Sequence, residues 1–161
     1  MDAIDTQILI WGVKKEQADG RPDMVPRCIA LLEMLKQQRH IIMVPSIVVA
    51  EYLADFPPER QEEQRRIIGK NFFVAPFDAA AATVAGAIYS KAKMKSARAK
   101  TPACRQCVHA DLKIIATAIA HGAKRLYTDN TPHFVTLAVG KILVDDIPPL
   151  EKLQQGLSFG A

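Results

Sequence analysis

Four acidic residues occupy positions that a structural role alone does not explain. They are Asp5, Glu51, Asp111 and Asp129. Two of them follow short apolar segments typical of strands, and the other two fall on the apolar sides of predicted helices. Carboxylates that are brought together raise each other's pKa unless a cation neutralises them. A set of oxygen ligands with no nearby group of histidines or cysteines favours a hard ion, Mg²⁺ or Mn²⁺.

Each acid also has an ordinary structural interpretation when it is considered alone. Asp5 would cap the helix that follows it, and Asp129 would belong to an Asp-Asn turn. Glu51 would reach water at the rim of its helix, and Asp111 would favour the positive end of its helix dipole. The four together favour a site, because strand ends and inward helix faces converge on one crevice in an α/β chain. A metal ion there would activate a water molecule and hold a phosphate oxygen of the substrate.

Strands and helices alternate along the chain and would position these acids. Strands are predicted at Met1–Ile4, Ile41–Val44, Asn71–Phe77, Arg125–Thr128 and Lys141–Val144. Helices are predicted at Arg27–Arg39, Ile47–Asp55, Glu59–Ile68, Asp78 to about Lys95, and Gln106–His121. The connections are predicted as a loop at Gly12–Pro26, a turn at Thr131–Phe134 and an end of regular structure at Pro148-Pro149. The alternation predicts an α/β fold with a mostly parallel central sheet of four or five strands.

The length and composition indicate an ordinary globular domain. The chain has 161 residues, of which 49% are hydrophobic and 24% are charged, which excludes a fibre or a disordered tail. We expect one domain over residues 1–147 and a C-terminal tail over residues 148–161. The longest apolar stretches are far shorter than the roughly 20 residues of a membrane span. Acids stand near the N-terminus where a signal peptide would carry lysines, so we expect a cytoplasmic protein without membrane association.

The charge distribution indicates a binding surface for a polyanion. The chain has 21 basic and 17 acidic residues, a net charge of +4, which alone is weak evidence for such a partner. No acid occurs between Asp78 and Asp111, whereas six basic residues do: Lys91, Lys93, Lys95, Arg98, Lys100 and Arg105. These residues would hold a polyanionic strand, or they would be solvated cations near the end of a long surface helix.

The three cysteines do not form a paired framework, which is typical of a reduced cytoplasmic protein. Cys104 and Cys107 form one Cys-x-x-Cys motif close to His109. A zinc site needs four ligands, and the spacing of His121 or His133 does not require either to complete one. We favour unligated thiols near the surface, with a metal site or a disulfide as alternatives, and we place Cys28 in the core.

Four segments, in order, resemble the motifs of PIN-domain nucleases. They are Ile4-Asp5-Thr6, Val44-Pro45-Ser46-Ile47-Val48-Val49-Ala50-Glu51-Tyr52-Leu53, Asp111-Leu112-Lys113-Ile114-Ile115-Ala116-Thr117-Ala118, and Leu126-Tyr127-Thr128-Asp129-Asn130 with Phe134. The resemblance covers most of the chain and implies a PIN-like, three-layer α/β/α domain. It also implies a metal-dependent endoribonuclease that cleaves single-stranded RNA with metal-activated water. The size and layout look most like toxins of the VapC type, which a co-expressed antitoxin holds inactive.

The resemblance also implies roles for individual residues. Asp5, Glu51, Asp111 and Asp129 would be catalytic, with Asp5, Asp111 and Asp129 as ligands of Mg²⁺ or Mn²⁺. The hydroxyls of Thr6 and Thr128 would support these acids, and the basic stretch from Lys91 to Arg105 would bind RNA. The implied partners are single-stranded or structured RNA, a small antitoxin and a second copy of the chain.

The sequence departs from the family pattern at two places. Gln7 stands where the family often has Asn, and the step from Asp129 to Phe134 is longer than usual. Asn130 could therefore take the place of the fourth acid, with Asp129 turned outwards.

A PIN-like interaction module with little or no activity is the alternative function, because a fold can lose its chemistry and keep its surfaces. A metal-dependent phosphohydrolase would need a second Asp two residues after a nucleophilic Asp. The segment Asp5-Thr6-Gln7 lacks it.

Overall fold

The structure of the chain is a computed structural model that describes residues 1–17, 19–96 and 105–158. The side chains of residues 91–96, 105–108 and 155–158 lie outside that description. Cys104, the side chain of Cys107 and the six predicted RNA-binding side chains therefore lie outside the described part of the chain.

Five parallel strands form one sheet in the described part of the chain. They are β1 (Asp2–Ile4), β2 (Ile42–Pro45), β3 (Phe73–Ala75), β4 (Arg125–Tyr127) and β5 (Leu143–Asp145), in the spatial order β3-β2-β1-β4-β5. Every neighbouring pair is parallel. The strands β1 and β2 are buried along their whole length, as expected of a parallel sheet that helices cover on its faces. The predicted three-layer α/β fold is confirmed, and β3 is the edge strand that Pro76 predicted.

The order of the strands reverses beside β1. The chain leaves β1 for β2 on one side, and returns much later to β4 on the other side. In the register of β1 and β4, Ile4 lies opposite Tyr127, so Asp5 and Thr128 follow side by side at the carboxyl ends. The backbone N–H of Asp5 donates to the carbonyl of Tyr127 at 3.1 Å. Such a reversal leaves a crevice at the carboxyl ends of the strands, where ligands bind in open α/β sheets.

Eight helices are described around the sheet. They are α1 (Thr6–Leu9, continuing as a π-helical turn at Ile10–Lys14), α2 (Met24–Gln37), α3 (Ser46–Ala54), α4 (Pro58–Asn71), α5 (Ala79–Ser96), α6 (Arg105–Ala120), α7 (Thr131–Ala138) and α8 (Leu150–Ser158). The largest fully buried side chains come from strands and helices together and include Ile4, Leu31, Met43, Tyr52, Ile114 and Phe134. They form one core cluster between the sheet and its helices.

Three predicted connections differ in the structure. The predicted loop from Gly12 to Pro26 begins in the π-helical turn and ends inside α2. The predicted turn at Thr131–Phe134 is the start of α7, because Pro132 suits a first helical turn and Phe134 is buried. The double proline at 148–149 does not end regular structure, because α8 begins directly after it and packs against α2.

A candidate active site at the carboxyl edge of the sheet

Asp5 lies at the centre of the carboxyl edge and is buried. Its Oδ1 accepts a hydrogen bond from the backbone N–H of Thr6 at 2.7 Å, so the side chain caps α1. Its Oδ2 accepts a hydrogen bond from the buried hydroxyl of Thr128 at 2.8 Å. Both carboxylate oxygens are therefore oriented, one by the helix that follows β1 and the other by the end of β4.

Glu51 reaches the same edge from α3. Its carboxylate accepts a hydrogen bond from the hydroxyl of Thr6, which is the first residue of α1. Glu51 is half-buried, and it stands one helical turn after Val48, which is fully buried. The two threonines that the sequence singled out thus contact two different acids, Thr128 contacting Asp5 and Thr6 contacting Glu51.

The electrostatics of the edge connect three of the predicted acids. Burial raises the pKa of Asp5 to about 6, and the nearby charges that raise it further belong to Asp111 and Glu51. The hydrogen bonds from Thr128 and Thr6 oppose this shift. Burial also raises the pKa of Asp111, with a smaller contribution from the charge of Glu51. Carboxylates from β1, α3 and α6 therefore lie close enough to disfavour one another's ionisation.

His133 is a neighbour of Asp111 that the sequence did not identify as part of this site. Its Nε2 lies 3.1 Å from Oδ2 of Asp111. This buried nitrogen has no hydrogen-bond partner in the described part of the chain. The contact is therefore electrostatic, and the charge of His133 lowers the pKa of Asp111 against the effect of burial. A helix over Thr131–Ala138 would have been the signal, but the sequence predicts a turn at Thr131–Phe134.

Asp129, the fourth predicted acid, forms an ion pair with Arg21. Its two carboxylate oxygens accept hydrogen bonds from the two terminal nitrogens of Arg21, both at 2.6 Å. The Arg21 guanidinium also lies over the ring of Trp11, 5.5 Å from its centroid. The hydrogen bonds to Asp129 raise the pKa of Arg21. No signal in the sequence connected these residues, because Arg21 precedes Asp129 by 108 positions.

Asn130, the alternative to Asp129, contributes its backbone to the turn after β4. Its N–H donates to the hydroxyl oxygen of Thr128 at 3.0 Å. Thr128 therefore accepts from the turn and donates to Asp5, which links the start of α7 to the centre of the site. The side chain of Asn130 is exposed.

The donor set of this edge suits a hard divalent ion by its chemistry. Asp5, Glu51 and Asp111 offer only oxygen ligands. The raised pKa values of Asp5 and Asp111 show that their charged forms are disfavoured, and a bound cation would stabilise those forms. The Glu51 carboxylate is held at the same edge by the Thr6 hydroxyl. As the side chains stand, each carboxylate already has a partner: Asp5 and Glu51 accept from threonines, and Asp111 lies against His133. Among the described residues, no three His, Cys, Asp or Glu side chains already have the spacing of a metal site.

The fold and the edge define an α/β protein with a crevice of coupled carboxylates at its strand reversal. The sequence matches the PIN domain family over residues 3–136. The chain therefore belongs to the PIN-domain family, as its four motifs indicated. PIN domains are generally nucleases, and they typically use divalent metal ions.

Two solved structures share the fold at low sequence identity. One is VapBC2 from Rickettsia felis bound to a DNA fragment from their promoter. The likeness to one of its chains has a TM-score of 0.64 and 19% identity, over 90% of this chain and 97% of that one. The other is DNA-bound VapBC from Salmonella typhimurium, with a TM-score of 0.63 and 20% identity, over 91% and 98% of the two chains. A search of curated proteins finds no match.

Among the described residues, no helix combines the length and the apolar character that crossing a bilayer requires.

Proposed function

We propose that the protein is a metal-dependent endoribonuclease that acts on single-stranded RNA, and that it is the toxin of a toxin–antitoxin pair in the cytoplasm. The observation that carries the proposal is the electrostatic coupling of Asp5, Glu51 and Asp111 at the reversal of the sheet. Membership of the PIN-domain family supports the nuclease. The similarity to chains from two VapBC structures supports the toxin.

In this proposal Asp5 and Asp111 hold Mg²⁺ or Mn²⁺, whereas Asp129, the third ligand that the resemblance implies, is hydrogen-bonded to Arg21 in the structure. The ion, when bound, would activate water and stabilise charge on the phosphate. Glu51 orients the attacking water, and the Thr6 hydroxyl keeps the Glu51 carboxylate turned towards the edge. The Thr128 hydroxyl does the same for Asp5. Water adds to the phosphorus and the bond to the 3′ oxygen breaks, which leaves a 5′-phosphate and a 3′-hydroxyl.

Cleavage of a labelled single-stranded RNA tests the proposed reaction. We expect internal cleavage with Mg²⁺ or Mn²⁺ and none with excess chelator. Asp5→Asn, Glu51→Gln and Asp111→Asn should each lower the rate by roughly two to four orders of magnitude, the range seen when a group that acts in the transition state is removed. Asp145→Asn is the matched control, because its carboxylate pairs with Arg125 on the neighbouring strands.

The same experiment decides between the nuclease and a PIN-like interaction module. The module is the alternative for two reasons. No described set of three His, Cys, Asp or Glu side chains is already spaced for an ion, and Asp129 is hydrogen-bonded to Arg21. Folded protein that cleaves no RNA with either ion, at any enzyme concentration, would reject the nuclease. Cleavage that persists in chelator, or in Asp5→Asn, would reject the metal mechanism.

A groove between α2 and α4 is the surface that we propose for the antitoxin. Its lining combines apolar side chains, here called the floor (Val13, Ile29, Leu32, Ile67 and Phe72), with the charged side chains of Lys15, Lys36 and Glu33. The groove has a volume of about 310 Å³, and Ile67 is partly exposed beside it. An amphipathic helix with apolar and acidic side chains would match this floor and the two lysines.

Co-expression with the product of any small reading frame that adjoins the gene tests the partner. Ile67→Glu should weaken co-purification of that product, because a carboxylate would face the apolar floor, while RNA cleavage by the variant stays unchanged. Ile41→Glu is the control, since Ile41 is exposed and does not line the groove. Equal loss in both variants would reject the groove. Light scattering on the purified chain tests the predicted homodimer in the same preparation.

A further inference from the structure

The fork-shaped contact between Arg21 and Asp129 is the feature that the proposed function leaves unexplained. Both terminal nitrogens of Arg21 donate to the two oxygens of Asp129. Arginine matches a carboxylate in this two-bond geometry better than any other side chain does. The pair joins the segment before α2 to the end of β4, at the edge where Asp5 lies.

Two further contacts and two nearby charges hold Arg21 in this position. Its guanidinium lies over Trp11, which is buried, and one terminal nitrogen lies 3.1 Å from the sulfur of Met24. The carboxylates of Asp23 and Asp146 add favourable charge around it. An arginine that rests on an aromatic ring and a thioether loses little freedom when it grips a carboxylate. Arg21 is 45% exposed and Asp129 is 22% exposed, so the pair lies at the surface, and these contacts set it apart from the more exposed ion pairs of α4.

The Arg21–Asp129 pair separates the charge of Asp129 from the other acids at the edge. The negative charges that act on Asp5 come from Asp111 and Glu51. The charge of Asp129 acts on Arg21 and on Cys28, which lies in α2. Asp129 is thus drawn towards the π-helical turn and α2, although its neighbour Thr128 contacts Asp5 directly.

We infer that Arg21 is a positioning residue that withholds Asp129 from the acidic site, so that the resting protein holds a divalent ion with Asp5 and Asp111, beside Glu51 and without Asp129. The inference rests on the proposed function, since it concerns the ion of that site. It assigns a role to the segment before α2: this segment sets the number of carboxylates at the edge. Removal of Arg21 would release Asp129 to act as the additional ligand.

Titration with Mn²⁺ alone, followed by the electron paramagnetic resonance signal of the free ion at pH 7.5, tests this role without RNA. Arg21→Ala should bind Mn²⁺ roughly tenfold more tightly than the unaltered protein, within the range by which groups around a metal change its affinity. Asp129→Asn should bind it with unchanged affinity, and the double variant should return to the unaltered value. Arg21→Lys should fall between, because lysine cannot form the two-bond contact.

Arg65→Ala is the matched control. Arg65 also donates two bonds to one carboxylate, that of Glu62, but on the exposed surface of α4. Its removal changes the net charge equally and should leave the affinity unchanged.

Two results would overturn the inference. One is equal affinity in Arg21→Ala and Arg65→Ala. The other is a loss of affinity in Asp129→Asn while Arg21 is present, which would make Asp129 a ligand of the resting protein.

Asp5→Asn separates this inference from the proposed function. If the unaltered protein binds Mn²⁺, Asp5→Asn abolishes binding and Arg21→Ala changes nothing, only the role of Arg21 is wrong. If Asp5→Asn binds as well as the unaltered protein does, the ion site itself is wrong. If no variant binds Mn²⁺, both are wrong.

Discussion

At the scale of single residues, Asp5 combines two roles that the sequence offered as alternatives. One of its oxygens caps α1, and the other accepts a hydrogen bond from Thr128 at the candidate site. Capping explains why a carboxylate is tolerated at a buried strand end, since the Thr6 N–H and the Thr128 hydroxyl satisfy it. The raised pKa shows that these bonds do not fully offset burial and the two neighbouring carboxylates.

This residue predicts a pH dependence for the metal-free protein. The pKa of Asp5 rises from its usual 3.8 to about 6 in the fold, so the folded state binds this proton more tightly than the unfolded state does. The free energy of unfolding should therefore fall as the pH rises from about 4 to about 6, with about 3 kcal/mol lost from this group above that range. Urea unfolding in chelator at pH 4 and pH 7.5 measures the loss.

Asp5→Asn should remove most of that loss, because an amide caps the helix without a charge. Asp145→Asn, at the end of β5, should retain it. A loss of equal size in Asp5→Asn and in the unaltered protein would show that another group titrates. Addition of Mn²⁺ at pH 7.5 should restore stability to the unaltered protein and not to Asp5→Asn, because an ion that binds only the folded state stabilises it.

The backbone conformation of Val139 leads to a second prediction, which concerns stability. It ends α7 with φ at 50° and ψ at 33°, a left-handed conformation that costs an L-residue with a β-carbon about 1–2 kcal/mol. Its side chain is exposed, so replacement loses little packing. Val139→Gly should raise the free energy of unfolding by about 1 kcal/mol after the greater chain entropy of glycine is counted.

Thermal unfolding compares Val139→Gly with Val135→Gly. Val135 is an exposed residue inside α7, where glycine should destabilise the helix by about 1 kcal/mol. The same sign for both substitutions would contradict the conformational argument.

At the scale of elements, the spacing of apolar residues predicts α3 and α6, the helices that carry Glu51 and Asp111. It does not predict α7, the helix that carries His133. Asp111 heads an apolar stripe that includes Ile114, Ile115 and Ala118, all buried in α6. That period of three and four residues is visible without a structure. The segment Thr131–Ala138 spans only two turns, and so short a stretch carries too few apolar positions to distinguish a helix from a turn.

The π-helical turn makes a prediction about packing between elements. Gly12 lies against α2, and a β-carbon at Gly12 would stand 2.8 Å from Cδ1 of Leu32 and 3.3 Å from Cβ of Cys28. Leu32 is buried and has little room to yield. Gly12→Ala should therefore lower the free energy of unfolding, by about 1–3 kcal/mol, because added atoms overpack this contact.

Gly69→Ala is the reference for this substitution. A β-carbon at Gly69, inside α4, meets no atom within 4 Å, so alanine should stabilise the helix there. Urea unfolding of both variants measures the difference. A Gly12→Ala variant as stable as Gly69→Ala would mean that α2 moves aside freely.

At the scale of the whole molecule, α8 extends the packed structure beyond the segment that resembles the family. The family match ends at residue 136, and the sequence suggested a tail from residue 148. The structure instead places α8 against α2, with Leu153 fully buried. Arg27 of α2 donates to the carbonyls of Ile147 and Pro148, which fixes the chain just before α8.

Leu153→Ala measures whether residues after 147 belong to the cooperative unit. The loss of a fully buried leucine side chain should lower the free energy of unfolding by about 2–5 kcal/mol. Lys152→Ala, at an exposed position beside it, should change it by less than about 0.5 kcal/mol. Equal stability of the two variants would mean that α8 detaches without cost and that 148–161 is a tail.

Local patterns alone determined the class of fold and the neighbourhood of the site. The apolar run at Ile41–Val44, the apolar stripe after Asp111 and the Pro-Pro and Gly breaks are short-range signals. The carboxyl ends of parallel strands meet at one edge of the sheet. The approach of Asp5 to Glu51 and Asp111 was inferred by that reasoning and by resemblance. The engagement of Asp129 by Arg21, the contact of His133 with Asp111 and the docking of α8 on α2 were decided only by the tertiary structure. These contacts join distant parts of the chain through side-chain direction, which the spacing of residues in one sequence does not encode.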